Sequence, residues 1–160
     1  IRYINHMGRD NARTPMQWDD TAQAGFTEGT PWLGVNPNYT WLNAREQAGR
    51  GDSVLSYFEQ LIKLRHTMDI LVYGTYRLLL EESGSVYAYE RTLGDERLTV
   101  LWHFTDQTQS CGLSCRDLGT DNVLIGNYPD QSGTFRGNGP ALHEEEDICL
   151  RPYEAIVLTQ

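Results

Sequence analysis

The sequence contains a single lysine, and this scarcity restricts the partners that the chain can have. Twelve of its 13 basic residues are arginines, they face 22 acidic residues, and the formal net charge is -9. Nucleic acids and anionic membranes are bound by clustered positive charge, which this sequence does not offer. No apolar run approaches the roughly 18 residues of a membrane span. We therefore predict that the chain binds neither nucleic acid nor membrane.

Cysteines are also few, and their pattern indicates neither disulfides nor a metal. The three cysteines, Cys111, Cys115 and Cys149, are an odd number without paired spacing. Three residues separate Cys111 from Cys115, whereas zinc knuckles use two, and no histidine lies nearby at ligand spacing. We expect all three to be reduced thiols within strands, as is typical of a cytoplasmic protein. We predict no metal and no cofactor.

An initiator methionine and a secretory leader are also absent. The 160 residues begin at Ile1. A length of 160 residues fits one ordinary domain. Because the sequence starts without Met, we nevertheless expect it to be a piece of a longer protein.

Residues 1–50 show neither the period of a helix nor that of a strand. They are rich in Gly, Pro, Asn and Asp, and they contain Trp18, Trp32 and Trp41. Irregular segments of this length are usually functional or disordered, and the aromatic content argues against disorder. We expect the three tryptophans to pack in a core, with sugar stacking as the alternative.

Residues 52–68 carry the clearest helical pattern. Asp52 is the predicted N-cap, and Lys63, Arg65 and His66 near the end complement the helix dipole. The apolar positions recur every three or four residues and form one stripe: Val54, Tyr57, Phe58, Leu61, Leu64 and Met68. This helix is predicted to lie against another element.

From residue 72 onward, short apolar runs separated by turn residues predict strands. The predicted strands cover 76–82, 86–92, 98–104, 109–113, 122–127 and 148–159. We expect strand 98–104 to be buried on both faces, and Pro152 to mark a bulge or an edge within the last strand. The strand aromatics are expected to point largely inward: Tyr76, Tyr87, Tyr89, Trp102, Phe104 and Tyr153. Short strands at this spacing predict an antiparallel β-sandwich.

Residues 9–19 are the most unusual stretch. Arg9 and Arg13 stand four residues apart, with an aspartate and an asparagine between them. An arginine fork suits carboxylates and hydroxyls alike. The residues alone leave two interpretations open, which are a structural Arg–Asp network under a loop and a ligand-binding segment.

The run RDNARTPMQWDD, followed by AGFT, TPWL and VNPNY, resembles the oligo-1,6-glucosidase-like enzymes of glycoside hydrolase family 13, the alpha-amylase superfamily. The similarity continues through SVLSYFEQLIKLRH, YGTYRLL, VYAYERT and LRPYEAIVL, and thus covers nearly the whole chain. It implies a mainly β fold, in which a C-terminal antiparallel Greek-key β-sandwich follows the last loop and helix of a (β/α)8 barrel. Residues 1–70 would end the catalytic barrel, and residues 71–160 would form the sandwich.

The resemblance also implies a function. The parent would be a retaining, exo-acting alpha-glucosidase that hydrolyses short α-1,6 or related glucosides, and its catalytic carboxylates would lie upstream of this chain. No residue here is then catalytic, and the isolated chain is expected to be inactive. The family pattern gives Arg9 a substrate-binding role, in which it pairs with an upstream aspartate and holds glucose in the −1 subsite. Arg13 is a weaker substrate-binding candidate. The expected partners are an oligosaccharide substrate and the upstream barrel.

Two other functions remain open at this point. The sandwich could be a carbohydrate-binding module, or it could be purely structural and stabilise the barrel. The parent could also be a trehalose-6-phosphate hydrolase, a sucrose isomerase or a trehalose synthase, because the loops that select the substrate lie outside this chain. Asp10, Asp19, Asp20 and Glu28 are not spaced as an acid/base pair, so we predict no catalysis by them.

Overall fold

The computed structural model describes residues 8–120, 122–129, 135 and 146–160, and it describes only the backbone of Arg9 and Asn11. Within it the chain divides into two compact units, Ile1–Ser56 and Tyr57–Gln160. Each unit is described by itself below. The division into domains at residues 1–70 and 71–160 stays a prediction.

The described part of the first unit consists of short helices joined by loops. Three 3-10 helices span Gly8–Arg13, Ala22–Gly25 and Pro37–Thr40, and α1 spans Ala44–Ala48. Asn43 caps α1, since its side chain accepts a hydrogen bond from the Glu46 amide. The expected lack of long regular elements is therefore what the structure shows for residues 8–50.

Helix α2, Val54–Thr67, confirms the helix that the apolar stripe predicts. Its N-cap differs from the prediction. The Ser53 hydroxyl accepts the Ser56 amide at 3.1 Å, whereas the Asp52 carboxylate forms an ion pair with Arg50. A serine hydroxyl beside the helix start satisfies an otherwise unpaired amide, and the carboxylate has a stronger partner elsewhere.

The second unit continues with α3, Ile70–Tyr73, followed by seven described strands and α4. The strands are β1 Thr75–Leu78, β2 Val86–Leu93, β3 Glu96–His103, β4 Gln109–Ser114, β5 Asn122–Gly126, β6 Asp147–Leu150 and β7 Ala155–Thr159, and α4, Cys115–Leu118, follows β4. The first sheet has the order β1-β2-β3-β7-β5, the second pairs β4 with β6, and all pairs are antiparallel.

The core of the second unit lies between these two sheets. Alternate residues of β2, β3 and β7 meet apolar residues of β4, α4 and β6 in one buried cluster: Val86, Ala88, Leu101, Cys111, Cys115, Leu118, Ile148, Leu150, Ile156 and Leu158. This arrangement is a β-sandwich, and it confirms the prediction of a mainly antiparallel β-fold. A second cluster places Leu64 of α2 against Ile125 and Phe135 on the outer face of the first sheet.

The predicted final strand at residues 148–159 is wrong, because the structure divides it into β6 and β7 in different sheets. Pro152 lies in the turn between them, where its missing amide is not needed. The Glu154 side chain is fully buried, and it accepts the backbone amide of Arg151 at 2.7 Å and the guanidinium of the same residue. The buried carboxylate of Glu154 therefore closes a turn at the point where one continuous strand was predicted. Its arginine partner satisfies the charge.

The expectation that residues 98–104 are buried on both faces is also wrong. One face of β3 carries the fully buried Leu101 and His103, but Trp102 on the other face is 47% exposed. The sheet is covered on one side by the second sheet, and only part of its other side is covered by α2. None of the helices in the described ranges is long and apolar enough to cross a membrane.

Candidate functional site

The segment that carries the predicted substrate-binding arginines begins with a 3-10 helix, Gly8–Arg13. Arg13 is exposed at the end of this helix. The side chain of Arg9 lies outside the described part of the structure. The binding roles of both arginines therefore stay predictions.

Gln17 ties the segment after this helix to the loop in front of α1. Its side-chain amide donates to Oδ1 of Asn38 at 3.0 Å and to the carbonyl of Leu42 at 2.5 Å. Its own carbonyl accepts the amide of Ala44 at 2.9 Å. Residues 17 and 38–44 are thus held together, because the polar groups of one segment pair with those of the other.

Asp19 organises the next turn through its carboxylate. Oδ1 accepts the amide of Thr21 at 2.9 Å and its hydroxyl at 2.5 Å, and Oδ2 accepts a guanidinium nitrogen of Arg45 at 2.6 Å. The hydrogen bonds from Thr21, with a smaller contribution from Arg45, hold the pKa of Asp19 below its usual range. Asp20 contacts the same guanidinium at 2.9 Å. Both carboxylates therefore form ion pairs with Arg45, and these ion pairs fix the loop. The role of the two aspartates here is structural.

The turn closes through three consecutive residues with positive φ. Gln23, Ala24 and Gly25 have φ angles of 54°, 56° and 66°. The carbonyl of Ala24 accepts the backbone amides of Trp18 and Asp19 at 2.9 and 3.2 Å. The left-handed region is strained for residues with a side chain, so these hydrogen bonds hold a conformation that the local sequence does not favour.

The tryptophans of this unit are on its surface, and the expectation that they pack in a core is wrong. Trp32 is 82% exposed, Trp41 is 69% exposed, and Trp18 is also exposed. The backbone of Trp18 is held by hydrogen bonds to Ala24 in the turn and to Arg45 in α1. Rings and arginines on a fixed loop can contact a neutral sugar through stacking and hydrogen bonds.

A second cluster of exposed aromatic residues lies on the outer face of the five-stranded sheet. Tyr76 is 51% exposed, and its side chain lies on the same face of the sheet as the exposed aromatic residues of β2 and β3. We call this cluster the aromatic face, and it consists of Tyr76 of β1, Tyr87 and Tyr89 of β2, Trp102 of β3, and Phe104 just after β3. The expectation that the strand aromatics point inward is wrong for most of this face, since only Tyr89 is half-buried. It is also wrong for Tyr153, which is exposed in the turn before β7.

The signal that could have predicted the aromatic face is the alternation within the strands. Tyr87 and Tyr89 are two residues apart, as are Trp102 and Phe104, so the members of each pair share a face. The aliphatic residues between and beside them, such as Ala88 and Leu101, fill the sandwich core instead. Periodicity determines which residues share a face, but it does not determine which face is covered.

Comparison with known proteins gives a family match for the first part of the chain. Residues 2–74 match the family described as "Alpha amylase, catalytic domain". The chain is 45% identical over 155 residues to an oligo-1,6-glucosidase of Parageobacillus thermoglucosidasius, with 96% of this chain and 26% of that protein covered. It is 47% identical over 152 residues to an oligo-1,6-glucosidase of Bacillus cereus, with 94% and 25% covered.

Solved structures show the same similarity in three dimensions. A trehalose-6-phosphate hydrolase of Bacillus licheniformis superposes with a TM-score of 0.80 at 35% identity, with 94% of this chain and 26% of that chain covered. An isomaltulose synthase of Klebsiella sp. LX3 superposes with a TM-score of 0.79 at 38% identity, with 94% and 25% covered. The chain therefore spans about a quarter of the length of the relatives that it matches.

Proposed function

Since the chain belongs to the alpha-amylase family of glycoside hydrolases, we propose that it is the C-terminal part of a retaining, exo-acting alpha-glucosidase. The proposed substrates are short α-1,6 or related α-glucosides. The observation that carries this proposal is the similarity of almost the entire chain to proteins named oligo-1,6-glucosidase. The proposed reaction proceeds by double displacement at two carboxyl groups that lie elsewhere in the longer protein.

Within this proposal the first unit supplies a loop of the substrate site. Arg9 forms an ion pair with an upstream aspartate and donates a hydrogen bond to a hydroxyl of the terminal glucose, because a guanidinium can donate to a carboxylate and a hydroxyl at the same time. The hydrogen bonds of Gln17 and Asp19 support this role, since they hold the following loop in one conformation. A loop that is already ordered positions the sugar ring at a lower entropic cost.

The second unit has a stabilising role in the same proposal. Helix α2 packs on the outer face of the first sheet through Leu64, Ile125 and Phe135. The residues of α2 fall within the range that matches the catalytic-domain family, whereas the sheet lies beyond it. A sandwich that covers a helix of the catalytic domain protects apolar surface from water. We place the longer protein in the cytoplasm.

The proposal is tested by assaying glucoside hydrolysis by the longer protein and by the 160-residue chain in parallel. The longer protein is expected to release p-nitrophenol from p-nitrophenyl α-D-glucoside, and the chain alone is expected to stay at the rate of the buffer. The β-anomer of the same substrate is the control, and we expect it to be left intact. Release from the α-glucoside by the highly purified chain would contradict the placement of the catalytic carboxylates elsewhere. A longer protein that cleaves neither anomer would contradict the function.

A second reaction type is favoured by the solved structures in the comparison. Their names include isomaltulose synthase and trehalulose synthase besides trehalose-6-phosphate hydrolase. Such a protein would rearrange sucrose, whereas the proposed hydrolase would release glucose from isomaltose. Chromatography of the products from the two sugars separates these cases. Isomaltulose or trehalulose as the main product from sucrose would replace the hydrolase proposal with an isomerase.

A further inference from the structure

A partly open cavity of about 700 Å³ lies within the second unit. It is lined by the junction between α2 and α3, by the turn between β2 and β3, and by the end of β7. Sites for small molecules typically have volumes of roughly 300–1,000 Å³ and combine apolar side chains with a few convergent polar groups. We call this feature the hairpin cavity. The proposed function has so far given its residues no role.

Hydrogen bonds between the elements fix the walls of the hairpin cavity. Arg91 of β2 donates through Nε to the carbonyl of Ile70 at 2.9 Å, which ties α3 to the sheet. The backbone amide of Gln160 donates to the carbonyl of Arg97 at 3.2 Å, which ties the end of β7 to β3. A cavity with ordered walls binds a ligand at a lower entropic cost than a flexible one.

One part of the lining is apolar. Ile70 is buried, and Met68 and Leu93 are half-buried at the margin of the hairpin cavity. A sugar ring has C–H faces that are apolar, and removing them from water against such side chains is favourable. The apolar lining therefore suits a ligand that is not polar all round.

The polar part of the lining offers both kinds of hydrogen-bonding group. Asp69 stands at the start of α3 without capping that helix through its side chain, and Glu96 is exposed at the start of β3. Their carboxylates accept hydrogen bonds, the guanidinium of Arg97 donates them, and the side-chain amide of Gln160 does both. Each hydroxyl of a sugar both donates and accepts, so a polyhydroxyl ligand can use all of these groups.

The charges in the lining disfavour ions as ligands. An anion would meet the carboxylates of Asp69 and Glu96, while the guanidinium of Arg97 already forms an ion pair with Glu90 at 3.3 Å. Among the residues that the structure describes, no group of three or more His, Cys, Asp or Glu residues could hold a metal ion. The class of ligand that remains is a neutral molecule with several hydroxyls.

We infer that the hairpin cavity binds a short α-glucoside, with sugar hydroxyls on Asp69 and Glu96 and a C–H face of the sugar on Leu93. The choice of a glucoside among neutral sugars rests on the proposed function, because the longer protein would work in the presence of such sugars. The cavity is partly open and would bury only part of a disaccharide. The expected Kd is therefore on the order of 1 mM.

The test is NMR of the longer protein with ¹³C-labelled methionine methyl groups, titrated with 6-thioisomaltose. This probe is isomaltose with sulfur as the bridging atom, and it resists hydrolysis. The signal of Met68 is assigned by its loss in Met68→Leu. We expect this signal to shift and to saturate with a Kd on the order of 1 mM. A Met68 signal that does not move up to ~50 mM of the probe would overturn the inference.

A matched pair of substitutions shows whether the probe binds at the hairpin cavity itself. Glu96→Ala removes a carboxylate from the lining, and Asp95→Ala removes a carboxylate from the neighbouring residue, which does not line the cavity. We expect the Kd read at Met68 to rise at least about fivefold for Glu96→Ala and to stay within about twofold for Asp95→Ala. The KM for isomaltose is expected to stay within about twofold in both variants. Equal Kd values for the two variants would contradict binding at this cavity.

Two further measurements separate other ligands and the proposed function. A Met68 signal that shifts with ~10 mM calcium chloride or sodium phosphate but not with the sugar would identify an ion site and would contradict the inference. The titration is measured without turnover. A longer protein that cleaves no glucoside but shows the expected Met68 titration would contradict the proposed function and support the inference. A longer protein that cleaves isomaltose and shows no titration would do the opposite.

Discussion

Gly25 is the residue on which the turn after Asp19 depends most. A Cβ atom at this position would lie 2.7 Å from Oδ1 of Asp19 and 2.9 Å from Oδ2. That carboxylate cannot move away easily, because Thr21 and Arg45 hold it from two sides. The φ angle of 66° adds a separate conformational cost for any other residue.

We therefore expect Gly25→Ala to destabilise the first unit by about 1–3 kcal/mol. Gly34→Ala is the matched control, because a Cβ there would meet nothing within 4 Å, and its expected effect is below about 0.5 kcal/mol. Urea unfolding followed by tryptophan fluorescence measures both. Identical midpoints for the two variants would show that the left-handed turn is not a stability determinant.

Substitutions of Arg9 and Arg13 test the proposed substrate site one side chain at a time. In the longer protein, we expect Arg9→Ala to lower kcat/KM for isomaltose by on the order of 100-fold, since the glucose ring would lose the group that positions it. Arg13 is exposed on the same 3-10 helix, and Arg13→Ala is expected to lower kcat/KM by less than roughly tenfold. A larger loss for Arg13→Ala than for Arg9→Ala would reverse the two roles.

Among the elements, helix α2 was predictable because its apolar residues recur at helical spacing, although Val54 and Phe58 of this stripe are exposed and only the remaining residues pack in the cluster around Leu64. Its stripe of apolar residues gives the helix, and its bounds differ from the prediction by two residues at the start and one at the end. The N-cap was assigned incorrectly because Asp52 and Ser53 are both suitable caps, and only the ion pair of Asp52 with Arg50 separates them. Local sequence therefore predicts that a helix begins here, but it does not identify the capping residue.

The packing of α2 gives a prediction at the scale of the element. Leu64 is buried against Ile125 and Phe135, whereas Val54 on the same helix is 78% exposed. Leu64→Ala is expected to destabilise the second unit by about 2–4 kcal/mol, because it leaves a cavity between helix and sheet. Val54→Ala is the control, with an expected cost below about 0.5 kcal/mol. Circular dichroism during urea unfolding checks the difference, and equal costs would contradict the packing described for α2.

The strands show where prediction from sequence fails for a physical reason. Alternation identified β2 and a more continuous apolar run identified β3, but the orientation of their aromatic residues was predicted incorrectly, because hydrophobic side chains were expected to be covered by this chain. The final strand was predicted as one piece because the buried Glu154, which closes the turn after Pro152, contacts Arg151 in a way that no periodicity reveals. Contacts that depend on tertiary structure are invisible to a local pattern.

At the scale of the whole molecule, the chain resembles a part rather than a self-contained enzyme. It spans about a quarter of the length of its relatives, and it exposes tryptophans in one unit and the aromatic face in the other. The candidate site was located from sequence by the RDNARTPMQW motif alone. The loop that supports it, built on Asp19, Arg45 and Gly25, required the structure, because the ion pair between Asp19 and Arg45 joins residues 26 positions apart.

The stereochemistry of isomaltose hydrolysis tests the central claim most directly. The longer protein is incubated with isomaltose, and the first glucose that it releases from the nonreducing end is observed by proton NMR before mutarotation. A retaining alpha-glucosidase releases this glucose as the α-anomer, because two displacements at the anomeric carbon restore its configuration. The account predicts the α-anomer. Release of the β-anomer, or isomaltose that remains intact, would contradict it.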